Sequence, residues 1–443
     1  MNSILQLKGR FEQRSNRSRP GSPKLPKGKS VSASHLRELE KQLERILVYW
    51  TENKDIRGAL VSVHYKHIVA KSNRLKILLS ENGKSPTESI RGAKFVWEPD
   101  QKGNEVQKHV FTHFVSLQAI EKSIDVLKKT ASIIEQYYKG SVPSEVIEEL
   151  GEKYHFNEVP KTSFLKTVVD GFYVERFDID RATEEITEEA IITIYQTGVD
   201  TKRLLSKFGI DIVDDRIIDG TTLRLNPDEV KLLYNNASYL IAMGVTDFSE
   251  ISRDDVLDAY EDMEEDAGLL IPHPQNEPVI GVIDTQFNEK VYFHEWVEYK
   301  NLLDPNIPLS RKDYEHGTAV SYIIVDGPQG NPELADGCGR FRVRHFGVAT
   351  NNGFSSFTVL KMIRNIVASN RDIKVWNLSL GSKLEIKPNF ISPEAAELDR
   401  IQSEYDVIFV VAGTNIPAGV TKKNMRIGSP ADSLNSMVVN AVD

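Results

Sequence analysis

Residues 278–285, PVIGVIDT, decide how the chain is read. This apolar run ends in a carboxylate, Asp284, followed by Thr285. Four runs of the same texture come after it: 341–349 FRVRHFGVA, 373–381 IKVWNLSLG, 406–415 DVIFVVAGTN and 436–443 SMVVNAVD. Strands buried on both faces read as nearly unbroken apolar runs, and their alternation with helices indicates a parallel sheet covered on both sides. The expected fold class of 275–443 is therefore α/β. In such sheets chemistry sits beyond the carboxyl ends of the strands, and Asp284 occupies such an end.

Toward the N-terminus the texture changes. Residues 247–266 hold ten acids and one basic residue, Arg253, and Pro272, Pro274 and Pro278 follow. An acidic stretch followed by spaced prolines marks a boundary, so 251–274 is read as an acidic and proline-spaced linker. Two small α+β domains are expected before it. In the first, 34–145, Leu36, Leu39, Leu43, Ile46 and Leu47 recur at helical spacing. Ala59, Val61, Val63 and Tyr65 then alternate as in a strand, and Leu117, Ile120, Ile124, Leu127 and Ile134 form a second helical stripe. The second domain, 160–250, contains a helix opened by Asn226 as N-cap with Pro227 at its first position. Residues 1–33 read as a flexible basic arm, since 1–30 carry eight Lys or Arg against one acid, Glu12.

Composition narrows the function classes. The chain has 443 residues, 40% hydrophobic and 27% charged, enough apolar surface to exclude a wholly disordered chain. No run approaches the length of a membrane-spanning helix, so no membrane partner is expected. The single cysteine, Cys338, permits no internal disulfide and no zinc ribbon, and it fits a reducing, cytoplasmic setting. A formal net charge of −9 argues against nucleic acid as partner.

Several other patterns bear on chemistry. Asp284 is not followed by a glycine-rich phosphate loop, and Thr285 and Gln286 break a D-x-D pattern. Asp178 and Asp180 match D-x-D, but the preceding VERF reads as a poor buried strand. His64 with His67 and His109 with His113 are possible metal pairs, yet His64 and His67 fall on opposite faces of a strand, so no metal is expected. Cys338 reads as a passive loop residue. His316 lies in EHGTAVSYII, where Ala319, Val320, Ile323 and Ile324 predict a helix starting at or just after it. A lone histidine there reads as structural. Its place 32 residues after Asp284, in the same predicted sheet, gives it a chemical reading as well.

VIGVIDT, HGTAV, NLSLG and VVAGTN occur in that order. Together they make 275–443 resemble the subtilisin-like serine proteases, the subtilases. The resemblance implies a serine endopeptidase that hydrolyses peptide bonds with an Asp-His-Ser triad and needs no cofactor. Asp284 would orient the imidazole of His316, and His316 would act as general base and then general acid. Asn415 would stabilise the oxyanion. Ser379, Leu380 and Gly381 would pair with an extended protein or peptide substrate.

Three departures stand out. Gln286 replaces a glycine, Ala319 replaces a common second histidine, and Thr414 separates Gly413 from Asn415. No G-T-S-x-A motif is present, and Ser429, Ser433 and Ser436 lack its context. The expectation is a subtilisin-like domain incomplete at its C-terminus, with the serine beyond this chain's end, on a continuation or on a second chain. The alternative is a non-catalytic peptide-binding or regulatory protein. The 160–250 domain is expected to be propeptide-like or regulatory. As a whole the chain resembles cytosolic bacterial subtilases paired with an AAA ATPase in phage defence, which implies an ATPase partner.

Overall fold

The computed structural model describes residues 24–439 except 82–83, 100–102, 155, 184–185, 250–270, 351–353, 382–385, 388–389 and 414–426. The chain divides into two units, Gln6–Thr187 with Ile192–Gly244, and Glu188–Ile191 with Val245–Asp443.

In the first unit, β1 (Ser30–Ser32) leads into α1 (Ala33–Glu52), whose cap is Ser32, one turn earlier than the stripe alone indicates. The Ser32 hydroxyl accepts from the His35 N–H at 3.2 Å, satisfying one of the free donors of the first turn. Leu36, Leu39, Leu43 and Ile46 are buried, as their spacing requires. Next come β2 (Ala59–Tyr65), β3 (Ile90–Pro99), β4 (Glu105–Val115), α2 (Leu117–Tyr137), β5 (Ser141–Pro143), α3 (Ser144–Lys153), α4 (Lys161–Tyr173) and β6 (Val174–Asp178). The antiparallel sheet has the order β3-β4-β2-β6, and β1 pairs with β5.

Strand β6 is VERFD, so the sheet of the first α+β domain extends past residue 145 and takes in 174–178. Its charges are answered across the sheet: Lys108, 2% exposed, lies 2.8 Å from Glu175, and Arg176 lies 3.0 Å from Glu98. Paired charges at half-buried positions let a polar sequence serve as a strand. Asp180 accepts from His64 Nε2 at 2.9 Å and from Lys94 at 2.8 Å, so the D-x-D pattern serves as a tie between elements.

A smaller sheet follows, built from β7 (Ala190–Ile194), β8 (Thr222–Leu225) and β9 (Ile241–Thr246) in the order β8-β7-β9. Helices α5 (Thr201–Ser206) and α6 (Pro227–Ala237) connect them. Asn226 caps α6 in a reciprocal box with Glu229, as Asn226-Pro227 predicts. Most of the expected 251–274 linker lies outside the described residues.

The second unit is built on a six-stranded parallel sheet. Its strands are β11 (Val279–Asp284), β12 (Val297–Asn301), β13 (Arg342–Gly347), β15 (Val375–Leu378), β16 (Ile408–Ala412) and β17 (Met437–Val439), in the order β12-β13-β11-β15-β16-β17. The α/β expectation holds here. A separate antiparallel pair joins β10 (Phe248–Ser249) to β14 (Phe354–Ser355). Helix α7 (Glu315–Gly330) lies on the sheet face that carries Val282 and Val343, where Ala319 and Val325 join their cluster. Helices α8 (Ser356–Ser369) and α9 (Pro393–Tyr405) lie on the other face, and Leu360, Ile363 and Leu398 meet Leu378 there. Among the described residues, no helix is long and apolar enough to cross a membrane.

Candidate active site

Asp284 ends β11, a central strand with β13 on one side and β15 on the other. Its side chain is on the α7 face and is fully buried. A buried carboxylate needs partners. One oxygen, Oδ1, accepts from the Thr285 N–H at 2.7 Å and from Nδ1–H of His316 at 2.6 Å. The other, Oδ2, has no hydrogen-bond partner among the described residues.

His316 is the second residue of α7, so the expected helix start is correct to one residue. The approach to the helix is tied down twice. Asp313 caps the preceding turn through the N–H (2.6 Å) and hydroxyl (2.8 Å) of Ser310, and its carbonyl accepts the Gln286 N–H at 2.9 Å. One residue past His316, the N–H of Gly317 donates to Thr285 Oγ1 at 2.9 Å. Glycine is required there. A Cβ on Gly317 would lie 2.7 Å from the Gln286 carbonyl and 2.8 Å from both the Thr285 carbonyl and the ring of His345. The helix therefore packs its backbone directly against the end of β11, which brings His316 onto Asp284.

The electrostatics follow from this geometry. The negative charge of Asp284 raises the imidazole pKa of His316, against burial, which lowers it. Burial pushes the Asp284 carboxyl up. The charge and hydrogen bond of His316, with smaller contributions from His345 and the Thr285 N–H, outweigh that, so the group is held below its ordinary value. With Nδ1 bonded to the carboxylate, Nε2 is the nitrogen left to exchange a proton with a substrate group. Among the described residues, nothing hydrogen-bonds to it. The side chain of His316 is 21% exposed.

Gln286, the departure from glycine after Asp284-Thr285, is fully buried and doubly bonded. Its Nε2 donates to the Ala349 carbonyl at 3.0 Å, and its Oε1 accepts from the Tyr299 hydroxyl at 2.6 Å. The amide fills the space beside Gly347. Ala319 is buried in the apolar cluster under α7.

Of the remaining sequence candidates, Ser379, Leu380 and Gly381 follow the end of β15 at Leu378. Ser379 Oγ donates to Asn377 Oδ1 at 2.8 Å, and Leu380 is buried against α8 and α9. Asn415 lies outside the described residues. His109 accepts the Val69 N–H at 3.0 Å, and His113 bonds to Ser89 at 2.9 Å. Among the described residues, no three His, Cys, Asp or Glu side chains form a metal-sized group. Cys338 is exposed in its loop.

Sequence reasoning missed the support behind the pair. Thr285, Gln286, Ser321 and His345 are all fully buried around Asp284 and the start of α7. The available signal was the phase of β13, where His345 alternates with Val343 and so faces the same way.

No curated protein matches the chain at a significant level. Two solved structures are similar in part. The prenylagaramide maturation protease PagA is 14% identical, with 38% of this chain and 55% of that one covered and a TM-score of 0.28. The epidermin leader peptide processing serine protease EpiP from Staphylococcus aureus is 16% identical, with 57% and 69% covered and a TM-score of 0.33. This chain thus spans about half the length of the first. The similarity to subtilases, a family of serine proteases, belongs to one part of the chain: the model of that family matches residues 275–443, the stretch that holds Asp284 and His316.

Proposed function

We propose that residues 275–443 form the acid–base half of a serine endopeptidase of the subtilisin type. The observation that carries this reading is the 2.6 Å bond between Asp284 and His316 at the carboxyl end of a parallel sheet, inside the stretch that matches the subtilase model. Asp284 holds the imidazole in the tautomer that leaves Nε2 unprotonated. His316 then takes the proton of a serine hydroxyl as that oxygen attacks the peptide carbonyl, and returns it to the leaving amine. Asn415 is the proposed donor to the oxyanion, and the backbone of Ser379, Leu380 and Gly381 the proposed rest for an extended peptide. No serine of residues 1–443 is proposed as the nucleophile, and no cofactor is proposed.

The antiparallel pairing of β10 with β14 suits a propeptide-like or regulatory role for the preceding domain: a segment of this chain already lies as an added strand beside residues that lead into α8. A cytoplasmic setting, which the single cysteine suits, and an AAA ATPase partner in phage defence, which the resemblance implies, belong to the same reading.

A fluorophosphonate probe tests it. The 443-residue chain alone is expected to give no adduct, while the chain supplied with a serine-bearing segment, fused or as a partner, gives one that His316→Ala abolishes. An adduct within 1–443 would show the nucleophile to be misassigned. No adduct from any product, with extended peptides still bound, would leave the second reading, a non-catalytic peptide-binding protein.

A further inference from the structure

We propose that His345, one strand away from the Asp284–His316 pair, is a positioning residue that holds the pair in register through Thr285. The proposal rests on the acid–base reading above and adds a component that neither the family pattern nor the motif spacing indicates.

The argument starts from hydrogen-bond chemistry. His345 is fully buried on β13. Its Nε2 lies 2.8 Å from the Thr285 carbonyl, and its Nδ1 lies 2.9 Å from the Ser321 hydroxyl. A carbonyl only accepts, so Nε2 carries the proton. In the neutral ring Nδ1 is then an acceptor, and the Ser321 hydroxyl donates to it. Burial lowers the pKa of His345, which keeps the ring neutral and this tautomer in place.

Thr285 connects this ring to the site through all three of its polar groups. Its carbonyl is held by His345, its N–H donates to Asp284 Oδ1 at 2.7 Å, and its hydroxyl accepts the Gly317 N–H at 2.9 Å. The peptide that orients Asp284 and the contact that seats the start of α7 thus share one anchor. Ser321 stands on α7, five residues past His316, so the helix is gripped at two points by the same ring system. Phe287 and Tyr299 pack against the ring, with centroids 5.7 Å away in each case, and fix its plane. The ionisable groups around the ring are Asp284 and His316, with the Tyr299 hydroxyl directed to Gln286. A core histidine that only fills space has no need to bond the residue next to the acid and the helix that carries the base.

The test is the titration of His316, followed by NMR of the histidine-labelled 443-residue chain, in the wild type and in His345→Phe, His345→Gln and Ser321→Ala. Phenylalanine keeps the bulk of the ring and loses the donor. Glutamine places an amide N–H near the position of Nε2. Thermal melting reports folding separately. The wild-type midpoint of His316 is expected above the ordinary histidine range. His345→Phe should lower it by about one pH unit, since an opposite charge within reach raises a pKa by roughly one to three units and a loosened one by less. His345→Gln should restore most of the difference, and Ser321→Ala should lower the midpoint by a smaller amount. A His316 midpoint unchanged in a folded His345→Phe chain would reduce His345 to core packing. Should that variant fail to fold, an unchanged midpoint in Ser321→Ala would overturn the proposal equally. A wild-type His316 that titrates in the ordinary range would remove the Asp284–His316 pair itself, and the positioning role with it.

Discussion

The imidazole of His316 donates to the carboxylate of Asp284 over 2.6 Å, across 32 residues of chain. Each partner explains the perturbed pKa of the other: the acid is held down and the imidazole pulled up, as for an ion pair that is more stable charged than neutral.

Replacing Asp284 by Asn keeps the shape and removes the charge. The His316 midpoint should fall, because its largest raising influence is lost. In any preparation with measurable peptide hydrolysis, the rate should drop on the order of 10⁴-fold, as expected when the imidazole loses its orienting carboxylate. NMR titration and steady-state kinetics check the two arms. A kinetic loss below tenfold would mean that the pair does not act in the reaction.

The same pair makes a pH-dependent contribution to stability. The folded pKa of His316 is raised from 6.5, so its part is complete below 6.5 and is lost as pH rises through the raised value. That of Asp284 is lowered from 3.8, so its part is complete above 3.8 and is lost as pH falls through the lowered value. His316→Gln, which leaves a buried acid without its charged partner, should cost about 3–5 kcal/mol, with the largest difference between these two pH values. Urea unfolding of both proteins across the pH range would show it. A difference that does not vary with pH would contradict the ion pair.

Gly317→Ala places a methyl group under 3.0 Å from two carbonyl oxygens and the His345 ring. The backbone of α7 must move, at a cost of about 1–3 kcal/mol. The shift should also loosen the Asp284–His316 bond, lowering the His316 midpoint. A variant with wild-type melting and titration would show that α7 is not seated by this contact.

Gln286→Gly restores the residue common in subtilases, yet here it should destabilise. It empties the space beside Gly347 and leaves the Tyr299 hydroxyl and the Ala349 carbonyl without their partner. Buried groups left unpaired cost about 1–3 kcal/mol. A thermal melt at or above that of the wild type would refute this account of the substitution.

Asp247 is buried, and its carboxylate accepts from the Ser355 hydroxyl at 2.8 Å and the Phe357 N–H at 2.9 Å, at the start of α8. Asp247→Ala should cost about 1–2 kcal/mol, the range of a lost helix cap. Because β10 follows at once, hydrogen exchange at the β10–β14 pair, Phe248–Ser249 with Phe354–Ser355, should also quicken. Unchanged melting and exchange would show that this anchor does not hold the pair.

Much of this architecture is legible in local patterns. The apolar runs from 278 onward announce a parallel sheet, Asn226-Pro227 announces a helix start, and Asp284 and His316 announce themselves by their places at a strand end and a helix start. Side-chain periodicity sets which residues face the core, and that information lies within a few residues of chain. Other features needed the assembled molecule. VERFD reads as too polar for a strand until Lys108 and Glu98 arrive from β4 and β3 to pair with it. His345 reads as one more inward residue of β13 until the register of β13 against β11, with Val282 opposite His345, and the seat of α7 put its two nitrogens on Thr285 and Ser321. The reason is physical: a buried polar atom takes its role from the partner it finds. For groups far apart in the chain, packing between strands and helices chooses that partner.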